Sequence, residues 1–273
     1  MFNGLISSRK IFFLFYFILL VFSQHVFSNT LNTAIPWTGF FIGGYSGIAH
    51  DNTSLSTDAG SLSNISYFIS NANIASVNQN GSASIGHNDF IIGTELGYNH
   101  QYQQLVYGVE TDFGYLGIRT SKQSNNIVYP TAAAFAYTMN VAMNTSWLLT
   151  TKINIGVTPS SLREWIYLTG GLALTEMHVS NSFSDNATSA GRESAQNNQL
   201  KAGWALGTGL KIHSGTHWLI GFEYLFVKFN AATASGKVVC TNAAACIANV
   251  NSPLDTSAKF YASLAKLSVD YLF

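Results

Sequence analysis

Residues 259–273 read KFYASLAKLSVDYLF. Counted back from the end, alternate positions are Phe273, Tyr271, Val269, Leu267 and Ala265. Asp270, Ser268 and Lys266 interleave with them. A strand has a side-chain period of two, so this segment presents one apolar, aromatic face and one charged face. It also stops on an aromatic residue with no polar tail. A soluble fold rarely leaves such a strand bare. A barrel in a bilayer requires one, because its last strand closes the sheet with its apolar face in lipid.

Composition points the same way. The 273 residues are 47% hydrophobic and 14% aromatic but only 10% charged, against about 25% charged in an ordinary soluble domain. Net charge is zero, so no basic surplus points to nucleic acid. Arg9 and Lys10 precede an apolar run, Ile11–Phe22, followed by Val26 and Ser28 as small residues at a cleavage site. This is the pattern of an export signal over residues 1–28, and the run is short for a spanning helix of about 20 residues. Residues 29–273 are then a single domain. Export leads to an oxidising compartment, so Cys240 and Cys246 are expected to form a disulfide, with metal ligation as the weaker alternative.

Along the mature chain, strand-like segments alternate with polar links. Strands are expected at 37–48, 89–99, 105–118, 145–157, 165–178, 200–213, 216–229 and 259–273. The links alternate long and short, the long ones covering 49–87, 119–143, 179–198 and 230–257. Outer-membrane barrels have long extracellular loops and short periplasmic turns. The expected fold is therefore all-β: an eight-stranded antiparallel transmembrane barrel with four long extracellular loops and three short periplasmic turns.

Parity supports this fold. Glu95, Glu110, Asp112, Lys152, Lys201, Lys211, Glu223, Lys266 and Asp270 all fall opposite the main aromatic face of their strands. A lysine or arginine facing lipid at the midplane costs about 2–4 kcal/mol. Turned inward, the nine charges are expected to form an ion-pair network in a barrel too narrow for an open channel. Gly-x-Ser-x-Gly, His-Glu-x-x-His and Gly-Lys-Ser/Thr are all absent, so no catalytic residues, no metal site and no enzyme are expected. The loops, rich in Asn, Ser and Thr, are the remaining functional surface, suited to host or matrix molecules.

Several segments resemble the porin-family outer-membrane proteins of alphaproteobacteria, the group of surface antigens and hemin-binding proteins. They are WTGFFIGG (37–44), GYN (97–99) followed by YGVE (107–110), LTGGLA (168–173), Gly203-Trp204, Glu223-Tyr224 and the closing VDYLF (269–273). The resemblance implies a surface-antigen or adhesin-like role in the cell outer membrane, among outer-membrane lipid. It also implies that Tyr271 and Phe273 belong to a terminal signal read by the barrel-assembly machinery. Two alternatives follow from it: a narrow porin for small solutes, or a hemin-binding protein. Hemin would be the cofactor in the latter case, with His50, His87 and His178 near the outer strand ends as candidate ligands. Family members usually carry two arginines in the fourth strand, where this chain has Lys152 and Asn154. That departure implies a thinner interior network, because lysine lacks the guanidinium fork and asparagine lacks charge.

Overall fold

The computed structural model describes residues 37–159, 163–242, 244–245 and 250–273. The expected export signal lies outside the described residues. Eleven strands carry the fold: β1 (Gly39–Asp58), β2 (Ala83–Tyr102), β3 (Leu105–Leu116), β4 (Arg119–Tyr129), β5 (Ala132–Asn144), β6 (Trp147–Val157), β7 (Glu164–Asp185), β8 (Gly191–Ser214), β9 (Trp218–Phe229), β10 (Ala232–Cys240) and β11 (Asn251–Leu272). One helix, α1 (Asn71–Asn80), sits between β1 and β2. No helix among the described residues is long and apolar enough to cross a membrane, which says nothing about crossing with strands.

Every pairing is antiparallel, and the pairings close on themselves. They run from β1 through β2, β3, β6, β7, β8 and β9 to β11, which returns to β1. The closing seam is long, from Phe41↔Leu272 to Asp58↔Asp255. Closure leaves no free edge along that ring, which is what lets a sheet stand alone without aggregating. The hairpin β4–β5 joins the wall through β5 and β7. β10 lies against β11 and touches β8 only at Val239↔Arg192 and Cys240↔Gly191.

The expected long links are corrected by these strands. Residues 119–143 form β4 and most of β5, 179–185 and 191–198 extend β7 and β8, and 232–240 and 251–257 form β10 and the start of β11. The link 49–87 contributes the end of β1, α1 and the start of β2. The reason is visible in burial. Thr53, Leu55 and Thr57 on β1, Met139, Val141 and Met143 on β5, and Leu254, Thr256 and Ala258 on β11 alternate inward, while Ser, Asn and Thr face out. Period-two order persists there, but the inner face mixes apolar residues with threonines and the outer face is not apolar.

The interior consequently has two storeys. The one at the far end from the β2–β3 turn is apolar. Leu55, Ile74, Val77, Tyr137, Met139, Val141, Phe183 and Leu254 belong to one buried cluster. α1 starts at Ser70, whose Oγ accepts from Asn73 N at 3.1 Å as an N-cap, and it buries Ile74 and Val77 into that cluster. The storey nearer the β2–β3 turn is charged and ends in an aromatic floor, where Trp37, Phe41, Trp165, Tyr167 and Leu272 are buried together.

Candidate functional site

The charged storey is built from facing strands. Register places Glu95 beside Asp112, Glu110 beside Lys152 and Glu223 beside Lys266. Lys152 Nζ stands 2.9 Å from Glu110, 2.9 Å from Asp112 and 2.7 Å from Glu223. Lys211 Nζ reaches Glu95 at 2.8 Å, Glu110 at 3.3 Å and Asp270 at 2.8 Å. Lys266 Nζ bridges Asp112 at 2.6 Å and Glu223 at 2.7 Å. All eight residues are buried. Each ammonium, with three donors and no fork, is shared among carboxylates from different strands, which ties opposite walls together.

Neutral donors complete the network. Asn154 Nδ2 donates to Glu110 at 3.0 Å, Thr150 Oγ1 to Asp112 at 3.1 Å and the Tyr167 hydroxyl to Glu223 at 3.2 Å. The Phe41 and Tyr45 rings lie 4.3 and 4.7 Å from Lys211 Nζ and Lys266 Nζ, within cation–π range. Lys152 meets three carboxylates, and Asn154, which carries no charge, supplies a donor to Glu110. The three acids Glu95, Glu110 and Asp112 also lie close enough to share a metal ion, but each already faces lysine.

Lys201 is the expected member that the structure does not bring in. It is half-buried opposite Thr175, ten positions from Lys211 on β8. That is about 34 Å of extended strand, too far for the same carboxylates. Conversely, the inward aromatics Trp37, Phe41, Tyr45, Trp165 and Tyr167 were not singled out by sequence reasoning. Their signal was parity: Phe41 stands opposite its exposed neighbours Phe40 and Ile42.

The outer face is the complement of the inner one. Between two rows of aromatic residues, every outward position is uncharged. One row includes Phe40, Tyr98, Tyr107, Trp218 and Tyr271; the other includes Phe90, Tyr115, Trp147, Trp204, Phe226 and Tyr261. Ile92, Leu96, Val109, Ile153, Leu168, Leu172, Leu206, Phe222 and Leu267 fill the band between them and are exposed. On β11 the rows are ten positions apart, which at about 3.4 Å per residue and a tilt of roughly 40° is about 25 Å in height.

The candidate hemin ligands do not converge. His50 faces outward on β1 and its Nδ1 lies 2.8 Å from Asn88 Oδ1. His87 is exposed on β2, opposite Asp51. His178 faces outward on β7, hydrogen-bonded to Asn198. β7 lies four strands from β1 in either direction round the ring, so His50 and His178 stand outside opposite walls. Cys240 is disulfide-bonded, and Cys246 lies outside the described residues. Phe273 is exposed, donates its N–H to Phe40 O at 2.9 Å and meets the Tyr271 ring edge-on at 5.1 Å.

The distal end is closed by the segment between β1 and β2. Tyr67 and Tyr129 both donate to Asp185 Oδ2, at 2.8 and 2.7 Å, while Gly191 N donates to Oδ1 at 2.8 Å. Burial, with Asp185 alongside, holds the Tyr129 hydroxyl well above the usual phenol range, and burial does the same for Tyr67. Phe68 packs edge-on against Phe183, which stacks on Tyr137. A cavity of about 310 Å³ opens beside this cap, lined by Tyr67, Phe68, Tyr129, Phe135 and Asp185 among others. On β8, Glu193 is buried with neither carboxylate oxygen hydrogen-bonded, and burial pushes its carboxyl up to about 7.

No family model and no curated protein matches this chain. Among solved structures, the chain is similar to the attachment invasion locus protein Ail of Yersinia pestis, at 11% identity over 84% of this chain and 99% of that one, with a TM-score of 0.32. It is similar to the outer membrane protein OprG from Pseudomonas aeruginosa, at 12% identity over 86% and 97% with a TM-score of 0.43. It is also similar to the outer membrane protease OmpT from Escherichia coli, at 8% identity over 90% and 100% with a TM-score of 0.42.

Proposed function

We propose that this chain is an integral outer-membrane β-barrel of eight spanning strands, exported by residues 1–28, with a structural and surface-interaction role. One observation carries the reading: an uncharged outward band about 25 Å high, bounded by aromatic rows, encloses buried Lys and Asp/Glu side chains. The extended walls and cap beyond that band are then extracellular, and Tyr271 and Phe273 stand at the periplasmic rim, where the barrel-assembly machinery would meet them.

The reading is non-enzymatic and needs no cofactor. The filled interior favours surface contact or architecture over solute passage. Its working surface is the cap, positioned on rigid walls to meet host or matrix molecules.

The test is cell fractionation with gel migration before and after heating. An outer-membrane barrel stays in the outer-membrane fraction and shifts its mobility on heating. A soluble periplasmic fraction with unshifted mobility would refute the reading. Adhesion of cells expressing the protein to matrix-coated surfaces, compared with cells expressing a chain lacking 62–69, tests the surface role. Equal adhesion would remove it.

A further inference from the structure

The outer edge of the apolar band is not uniform. On the β8–β9–β11 wall, Trp204, Phe226 and Tyr261 form a continuous aromatic shelf, with ring centroids 5.4 and 5.7 Å apart. Lys228 is in register with both Trp204 and Tyr261, so it sits on the same outward face directly at the shelf. Lys259 stands two positions beyond Tyr261, opposite Ser54. Both lysines are exposed, and neither forms an ion pair among the described residues.

The wall is also indented at this spot. The β8–β9 ladder ends at Gly203↔Phe229, and on that edge β8 next pairs at Arg192↔Val239, while its other edge stays paired with β7. A groove of about 270 Å³ lies at the end of the ladder, lined by Ala202, Gly203, Trp204, Lys228, Phe229 and Asn230. On another wall, outward Arg119 lines a groove together with the acidic Glu176. The β8–β11 wall therefore combines an apolar shelf at membrane height, a notch just beyond it that Lys228 and Asn230 help to line, and two exposed lysines without ion pairs.

We infer that this notch is a docking site for an anionic lipid of the outer leaflet. Its phosphorylated headgroup would lie on Lys228 and Lys259, and its acyl chains along Trp204, Phe226 and Tyr261. Lysine suits this place because its flexible stem can lie along apolar surface while the ammonium stays at headgroup level. A lysine near an anionic membrane surface contributes favourably, and Lys228 lining the groove, with Lys259 on the same face beyond Tyr261, selects a headgroup bearing phosphate. The inference rests on the membrane reading above.

The test uses the full protein refolded into phosphatidylcholine nanodiscs with a trace of diphosphorylated lipid A, its dephosphorylated form, or free inorganic phosphate. Co-purifying lipid is counted by mass spectrometry after exchange into detergent. Wild type should retain one diphosphorylated lipid per chain. Retention should fall about tenfold in K228Q/K259Q and with the dephosphorylated lipid, and should be unchanged in R119Q. Equal retention by K228Q/K259Q, or equal retention of the dephosphorylated lipid, would overturn the site while leaving an inserted barrel intact. Displacement of the lipid by millimolar inorganic phosphate would also overturn it, in favour of a free-anion site. Failure of the wild type to insert would overturn both this site and the membrane reading.

Discussion

Lys211 and Asp270 are 59 residues apart in sequence and 2.8 Å apart inside the barrel. The pair joins β8 to the closing strand across the interior, and Glu95 and Glu110 complete the contacts of the same ammonium. Five carboxyls face three lysines in this network, so the two kinds of residue are not equally replaceable. Removing one partner of a buried pair leaves an uncompensated charge and costs about 3–5 kcal/mol. Lys211→Met should cost that much, measured by urea unfolding of the refolded barrel in vesicles. Glu95→Gln leaves Lys211 with two carboxylates and should cost about 1 kcal/mol or less. Equal losses would show that the lysines do not organise the interior.

The outward band makes a complementary prediction. Leu267 is 61% exposed in the middle of the band. Leu267→Arg should destabilise the inserted protein by about 2–4 kcal/mol. Leu62→Arg, in the cap, should change stability by less than about 0.5 kcal/mol. Both follow from the same unfolding titration, and a neutral Leu267→Arg would place that position in water.

Gly43 and Gly44 are adjacent and differ only in the side of the wall they face. A Cβ at Gly43 would run into Asp270 Oδ1 and lie 2.8 Å from Asp270 Cα across the β1–β11 seam. At Gly44 the nearest atom is Gly93 O at 3.6 Å, ordinary contact. Gly43→Ala should therefore cost about 1–3 kcal/mol through overpacking at the seam, and Gly44→Ala less than about 0.5 kcal/mol. The yield of heat-modifiable protein on refolding reports both.

Glu193 gives the walls beyond the aromatic rows a pH dependence. Burial raises its carboxyl from 4.5 to about 7, so the folded state binds a proton that the unfolded state has already released. Stability from this group is full below pH 4.5 and falls as pH rises toward 7, where the charged form must be buried unpaired. Glu193→Gln should remove that slope and stabilise the protein above pH 7 by about 1–3 kcal/mol, the cost of an unsatisfied buried group. Thermal melts of both proteins at pH 4 and pH 8 measure it; parallel pH dependence would refute it.

Much of the ring between the aromatic rows was legible in the sequence because an apolar outer face opposite a charged inner face is a strong signal. Phe222 and Glu223, or Leu267 and Lys266, differ so sharply in polarity that period two is unmistakable. Beyond the band that contrast vanishes. Outward Ser54 and Ser56 alternate with inward Leu55 and Thr57, a pattern that reads as loop because the outer face carries small polar residues and the inner face mixes threonine with apolar residues. The aromatic floor was missed for a related reason. Trp165 and Tyr167 face inward on β7, although aromatic residues were assigned to the lipid side as a class. Lys201 has the correct parity but the wrong height, which register alone supplies. His50 and His178 stand outside opposite walls because the ring order places β1 and β7 four strands apart, information absent from spacing along the chain.

The central claim is that the outward face of the ring lies in lipid. Spin labels placed singly at residues 219–224 of β9, in protein refolded into bilayers, test it by collision with oxygen and with a water-soluble nickel complex. Positions 220, 222 and 224 should be accessible to oxygen and shielded from nickel, while 219, 221 and 223 should be shielded from both. Strong nickel access at 220, 222 and 224 would contradict a membrane-embedded barrel.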